Sequence, residues 1–378
     1  MLLEELTDKT YVHCERYINL FKKVSNDVNP DYCAINGLEH FLLPHALLPP
    51  NDVQLSTAQP REELLRTFVH DKVLFFVHPE EASTFNLPLS YTTIARPTAS
   101  TRTVIPDGAQ YAVKLHLNKR LSRFIRRLTE SSVRHSIAIS RELEKARMPA
   151  SFAFLPECIG VCYNDRGMIV RDMTPRPIIE KRQVLPLFSL YAPDLKDETH
   201  IPFFRQLVEK HDAEPLDYFL TSIVKPLFTN LAHAIRNYGL LLEPHGQNVL
   251  IEFDKQWNIT RLVHRDFQSM YVDNDIRKEK GLALPFTKHI MGEECAKEIS
   301  YSLVYDNYVG KYVFEPFTEY LQRDFGIEKE RSRAAIREYF AKLMPQHCFP
   351  KGQYLMAQNT FKDNNTEVQY CDERAAFR

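Results

Sequence analysis

The sequence predicts an α+β chain on three observations. The middle is rich in strand-like runs, apolar residues recur at helical spacing on both sides of it, and one β-hairpin is set inside the second helical half. The three stretches cover residues 1–71, 72–185 and 186–378. At 378 residues the chain has the length of two or three domains and ample material for a core. Its 48 basic and 49 acidic residues are interspersed, which excludes the charge footprint of a nucleic-acid surface or a polybasic membrane anchor. The opening Met1-Leu2-Leu3-Glu4-Glu5-Leu6 is acidic and lacks the basic flank and apolar core of a signal peptide, and no apolar run has the length of a membrane span. Seven cysteines are scattered. Cys158 and Cys162 come nearest to a pair, and no His set beside them completes a zinc site. Reduced thiols and a cytoplasmic location are the expectation.

In chain order, residues 1–70 are expected to be mostly helical from the spacing of Tyr11, Ile18 and Phe21, with a break at Pro44, Pro49 and Pro50. No chemistry is assigned there, and His40 and His45 read as surface or packing residues. From Lys72 the texture changes to strands. Residues 73–77 are a continuous apolar run that stops at His78-Pro79-Glu80-Glu81, and residues 89–95, 97–105 and the alternating 110–117 follow. Residues 121–148 predict one long helix with a basic start. Residues 152–155 and 160–163 are strands, and the turn Asn164-Asp165-Arg166-Gly167 leads back into 168–172. Helices are predicted over 202–211 and 215–238, with Gly239 ending the second, and again over 296–312, 314–325 and 328–344. Residues 351–358 predict one more element, and the tail from Asn359 is polar and loose.

Most of the chemistry lies in Glu243-Pro244-His245-Gly246-Gln247-Asn248, between the Gly239 helix end and an alternating run over 248–253. After a turn at Gln256-Trp257-Asn258, a second run delivers Arg265 and Asp266. Such a hairpin gathers His245, Gln247, Asn248 and Asp266 at one end. An imidazole, two amides and a carboxylate suit a nucleotide phosphate with its Mg²⁺, Asp266 and Asn248 offering hard oxygen ligands. The alternative is a hairpin with a polar tip. Ser100, Arg102 and Thr103 occupy a turn and Lys114 lies on the next strand; two hydroxyls and a guanidinium can grip phosphate oxygens, and a solvated turn is the alternative. With 11 glycines and no Gly-rich phosphate loop, side chains must do this work. On the predicted helix, Ser122 and Arg126 lie one turn apart and can present a hydroxyl and a cation together, unless they belong to a solvated basic face. Arg171 ends its strand and is expected in the same cleft as Arg102.

These motifs, in this order, resemble those of the siderophore synthetases that work without a nonribosomal peptide synthetase, the aerobactin-synthetase type. Val77-His78-Pro79 resembles the family's strand-ending His-Pro, and Ser100-Thr101-Arg102-Thr103 its Ser-x-Arg-Thr. The run from Lys114 to Leu128 resembles its Lys-Leu-x-Leu strand and the following hydroxyl and Arg, placing Ser122 and Arg126 at matched positions. Glu243 to Asn248 resembles its Glu-x-His-x-Gln-Asn, and Arg265-Asp266-Phe267 its Arg-Asp segment. The resemblance covers roughly residues 70–350. Three departures stand out: family members carry a large N-terminal region that this chain mostly lacks, Glu80 and Glu81 replace the usual aromatic and Gln, and Ser122 stands where Thr is usual.

The resemblance implies a β-rich "fingers" domain and a helical "palm" with ATP between them, the N-terminal "thumb" being largely absent. It implies that Ser100, Arg102, Thr103 and Lys114 hold the triphosphate, that His245, Gln247 and Asn248 also bind the nucleotide, and that Asp266 and Asn248 hold Mg²⁺. Ser122, Arg126, Arg171, Glu243 and His78 are implied to bind substrate, with His245, Arg126 and Lys114 catalytic. The implied reaction adenylates a citrate-like carboxylic acid and condenses it with an amine or alcohol in siderophore biosynthesis. Partners are small molecules, with a homodimer as the candidate assembly. Two other classes stay open. A His-x-x-Asn loop followed by Asp-Phe also resembles a kinase catalytic loop, although Gln247 occupies the neighbourhood of the wanted base. The third reading is a degenerate, non-catalytic nucleotide-binding protein.

Overall fold

Short runs of β-branched and aromatic residues make the first half of the chain a sheet. The computed structural model describes residues 1–19, 27–35, 37–121, 124–180, 183–288, 297–344, 355–362, 365–371 and 376–378. Its strands are β1 (Phe41–Leu48), β2 (Gln54–Thr57), β3 (Val73–Phe76), β4 (Ser90–Pro97), β5 (Thr103–Pro106), β6 (Tyr111–Leu115), β7 (Arg120–Leu121), β8 (Phe124–Ile125), β9 (Phe152–Phe154), β10 (Glu157–Tyr163) and β11 (Arg166–Asp172). After these come β12 (Gln183–Pro186), β13 (Leu240–Leu241), β14 (Val249–Phe253), β15 (Ile259–His264), β16 (Tyr271–Val272), β17 (Leu355–Lys362) and β18 (Asn365–Cys371). Eight of them form an antiparallel sheet in the order β2-β10-β11-β6-β5-β4-β1-β3. The α+β class is as the sequence predicts.

Two element expectations fail for identifiable reasons. Residues 41–57, expected in a helical segment, supply β1 and β2. Leu43, Ala46 and Leu48 face the core, while Pro44 coincides with a register shift between Leu43 and His45. Proline is tolerated in a strand at such an irregularity, so the break read at Pro44 is a bulge. The long helix over 121–148 is instead the short β7–β8 hairpin followed by a helix over Glu130–Lys145. Thr129 caps that helix, its hydroxyl accepting from Ser132 N at 3.4 Å. Arg126 is therefore not on a helical face.

The turn at Asn164 and Asp165 is borne out, with φ of 50° and 55° at the two central residues, the left-handed pair that a tight hairpin wants. The helix Glu130–Lys145 lays Val133 and Ile137 across this hairpin, where glycine leaves room for them. A Cβ on Gly160 would stand 2.3 Å from Val133 Cγ1, and one on Gly167 2.5 Å from Val133 Cγ2.

A second sheet runs β12-β14-β15-β9, with β9 parallel to β15 and the remaining pairs antiparallel. The helix Lys225–Tyr238 packs against β15 and the helix Asp8–Tyr17 against β12. The predicted 215–238 helix is continuous, with a π-helical turn at Leu220–Val224, and ends at Gly239 with φ of 61°. Phe219 stacks on Phe317 at 4.1 Å between ring centroids, joining it to the helix Glu315–Phe325 within the main core. A π-helical stretch over Leu303–Phe314 precedes that helix. The tail expected to be loose pairs as the β17–β18 hairpin.

Candidate active site

The β4–β5 turn carries Ser100, Arg102 and Thr103 and is closed on itself. Thr98 N and Oγ1 both donate to Thr103 O, at 3.0 and 2.8 Å, and Thr103 N donates to Ser100 Oγ at 3.0 Å. Thr101 sits at φ 65°, a left-handed conformation that a β-branched residue adopts at a cost. The result turns Arg102 inward. Its Nη1 donates to Arg126 O at 2.9 Å and its Nη2 to Gln268 Oε1 at 2.8 Å. Burial, aided by the Arg126 charge, pushes the Arg102 guanidinium down to about 9. His78 is fully buried, its Nδ1 accepting from Glu80 N at 3.2 Å, and burial pushes it down to about 4, so it is neutral.

The second limb is the loop after Gly239. His245 N donates to Glu243 O at 3.0 Å, Asn248 N to His245 O at 2.8 Å, and Gln247 N to His245 Nδ1 at 3.3 Å. With Nδ1 accepting, the neutral imidazole carries its proton on Nε2. Arg265 then locks the two limbs of the hairpin. Its backbone N donates to Asn248 O at 3.0 Å, and its Nε and Nη2 donate to Gln247 O at 3.0 and 2.7 Å. The next residue, Asp266, is held at φ 72°. Tyr308, from the π-helical stretch, donates to Glu243 Oε1 at 3.4 Å, and its ring lies 5.8 Å from that of His245. Burial pushes the Glu243 carboxyl up to about 7, against the opposing Lys288 charge.

The limbs meet where Lys114, buried on β6, donates its Nζ to Asp266 Oδ1. Burial pushes Lys114 down to about 8, with Asp266 resisting. For Asp266 burial works upward, but Lys114, Arg171 and Arg102 prevail and hold the carboxyl well below the usual range. Burial also lowers Arg126, whose charge is felt by Asp266, Glu243 and Tyr308. Arg171 lies beneath, donating to Glu157 Oε1 at 2.6 Å, while Glu157 Oε2 accepts from Phe267 N at 3.2 Å. Four cations, Arg102, Lys114, Arg126 and Arg171, thus surround one ionised carboxylate, an arrangement that attracts a polyanion. Two cavities of about 180 and 600 Å³ lie elsewhere, both bordering Arg261.

The model of the IucA/IucC family matches residues 71–192, and that of the ferric iron reductase FhuF-like transporter family matches residues 217–376. Among solved structures, the petrobactin biosynthesis protein AsbB from Bacillus anthracis str. Sterne is similar at TM-score 0.62 and 17% identity, over 80% of this chain and 60% of that one. The ATP-bound aerobactin synthetase IucA from a hypervirulent pathotype of Klebsiella pneumoniae is similar at TM-score 0.60 and 17% identity, over 82% and 63%. IucC from the same source is similar at TM-score 0.61 and 14% identity, over 82% and 63%. The chain has the fold of these synthetases. The resemblance read from the motifs to the aerobactin-synthetase type holds, with the family model covering residues 71–192. The chain spans less than two thirds of the length of these three structures. No curated protein matches it.

Within this synthetase fold, the structure gathers Arg102, Lys114, Arg126 and Asp266 into one cluster, with Glu243, His245, Gln247 and Asn248 on the adjoining loop. Thr103 pairs with Lys114 in the β5–β6 register, and Ser100 Oγ is engaged within its own turn. His78 lies close to the backbone of Thr101, and Arg171 is buried against Glu157. Ser122 lies outside the described residues. Sequence reasoning missed Gln268, Glu157 and Tyr308. Gln268 stands two residues after Asp266, a proximity that could have marked it. The others join the site from distant segments by packing, for which the linear pattern holds no signal.

Proposed function

We propose that this chain is an ATP-dependent siderophore synthetase that adenylates a citrate-like carboxylic acid and condenses it with an amine or alcohol. The observation that carries this reading is the convergence of Arg102, Lys114 and Arg126 on Asp266, where the eight-stranded sheet meets the loop after β15. Arg102 and Lys114, with the Ser100–Thr103 turn, face the triphosphate, and His245 and Gln247 lie beside its α-phosphate. Arg126, between Asp266 and Glu243, orients the acid; Ser122, His78 and Arg171 complete the proposed substrate set, Arg171 from beneath. A carboxylate is ionised at neutral pH and needs no base; it needs relief from repulsion by the phosphates. The cations provide that relief. A carboxylate oxygen then bonds to the α-phosphorus as pyrophosphate leaves with its bridging oxygen, and the nucleophile next bonds to the acyl carbon as AMP leaves and its proton is lost.

Asp266 and Asn248 fit a Mg²⁺ that arrives with the nucleotide. Asp266 stays ionised, and no cluster of three or more His, Cys, Asp or Glu occurs among the described residues, so most ligands would come from phosphate and water. When bound, the ion neutralises phosphate charge. A homodimer and a cytoplasmic location remain part of this proposal; among the described residues no helix is long and apolar enough to cross a membrane. The test is product analysis with ATP, Mg²⁺ and a panel of di- and tricarboxylic acids with amines. AMP and pyrophosphate are expected. ADP would instead indicate phosphotransfer, and no turnover a binding protein.

A further inference from the structure

The N-terminal helix Asp8–Tyr17 reaches the site through one buried guanidinium. Tyr11 hydroxyl and Glu15 carboxylate both engage Arg265, Nη1 meeting the hydroxyl and Nη2 the carboxylate, and Tyr11 also donates to Glu15 at 3.0 Å. Glu15 is 0% exposed and Arg265 6%. The other donors of this guanidinium go to Gln247 O, so Arg265 is divided between the N-terminal helix and the nucleotide loop. The helix is itself anchored at its far end. His13 Nε2 lies 2.7 Å from Asp194 Oδ2, Leu195 N donates to Tyr17 O at 3.0 Å, and Ser189 Oγ donates to Ile18 O at 3.5 Å. Arg265 precedes Asp266, the left-handed residue that meets Lys114, and its backbone holds Asn248. Any shift of its guanidinium moves both residues.

We infer that Tyr11 and Glu15 are positioning residues of the nucleotide site, acting through Arg265 on Gln247, Asn248 and Asp266. This deepens the synthetase reading and rests on it for the identity of the ligand, but the positioning itself is measurable without nucleotide. A buried guanidinium held at once by a carboxylate, a hydroxyl and a backbone carbonyl is fixed in a way that a lysine cannot reproduce, and deleting the carboxylate leaves the charge poorly compensated. The N-terminal segment, to which the sequence assigned no chemistry, is on this view a wall of the active centre.

The experiment compares the wild type with Tyr11→Phe, Glu15→Gln and, as a control, Ile336→Ala, which opens a cavity beneath the helix Lys329–Leu343, none of whose residues is assigned to the site. Hydrogen exchange of the amides in 245–249 and 264–268 is read without nucleotide, and affinity for ATP with Mg²⁺ is read by calorimetry. Tyr11→Phe and Glu15→Gln should raise exchange in both segments several-fold and weaken ATP about tenfold, whereas Ile336→Ala should lower the melting temperature and change neither. Wild-type exchange in Tyr11→Phe overturns the inference, and this variant decides if Glu15→Gln fails to fold. Raised exchange with no ATP binding by the wild type would uphold the positioning and sink the nucleotide reading.

Discussion

Arg102 and Arg126 have different neighbours, and their substitutions should separate two halves of the chemistry. Arg126 shares its field with Glu243 and Asp266, so Arg126→Ala should impair acid-dependent pyrophosphate release while leaving ATP-induced stabilisation nearly intact. Arg102 supports the Arg126 carbonyl and is proposed to face the phosphates, so Arg102→Ala should damage both, by about 1.5–3 kcal/mol or roughly ten- to a hundredfold in affinity. Arg127 is exposed and bonded to Asn118 at 2.7 Å, and Arg127→Ala should stay near wild type. Equal kinetics for Arg126→Ala and Arg127→Ala would remove Arg126 from the site. Glu243 gives a pH prediction. Its folded-state carboxyl, raised by burial to about 7 from 4.5, keeps a proton that the unfolded chain releases. Its contribution to stability is complete below pH 4.5 and lost as pH rises through 7. Chemical denaturation of Glu243→Gln against wild type should therefore show the variant gaining relative stability across that window, by at most about 1.4 kcal/mol per pH unit. A pH-independent difference would contradict it.

At the scale of elements, the parts legible in the sequence were those with a local cause. The hairpin at Asn164 and Asp165, the helix end at Gly239 and the β14–β15 hairpin each follow from turn chemistry and apolar periodicity within a few residues. The β7–β8 hairpin was not legible because its basic and apolar residues also satisfy helical spacing, and what settles the matter is tertiary: Arg126 O is taken by Arg102 and by Leu117 N. Likewise β1 hides behind Pro44, which reads as a break until β3 and β4 pair with it on either side. Packing of the helix Glu130–Lys145 on β10–β11 depends on an absent side chain. Gly160→Ala forces a methyl against Val133, Ser56 and Ile137 and should cost about 1–3 kcal/mol. Val133→Ala in the same chain should recover part of that loss, because it removes the nearest contact. Strict additivity of the two substitutions in denaturant unfolding would show that the helix does not press on Gly160.

On the scale of the whole molecule, the site brings together like charges that share Asp266 as a counter-ion, with Glu157 paired to Arg171 beneath. Arg102, Lys114, Arg126 and Arg171 each lie near enough to Asp266 for their charges to act on it, and Lys114 pairs with it directly. Burial lowers Arg102, Lys114 and Arg126 alike, so the cluster carries charge that water no longer screens. A polyanion that binds there compensates that charge and, binding only the native state, adds RT ln(1 + [L]/Kd) to stability. For ATP with Mg²⁺ at a hundredfold excess over Kd this is about 2.7 kcal/mol, enough to raise the melting temperature by several degrees. Because phosphate charge is the main source, pyrophosphate should reproduce part of the shift and adenosine little of it, and added salt should shrink both. Thermal melts with millimolar ATP, pyrophosphate and adenosine, at low and high salt, test this directly. A shift with adenosine as large as with ATP would place the nucleotide's recognition outside the cation cluster, and no shift with any of them would remove the nucleotide from this cluster.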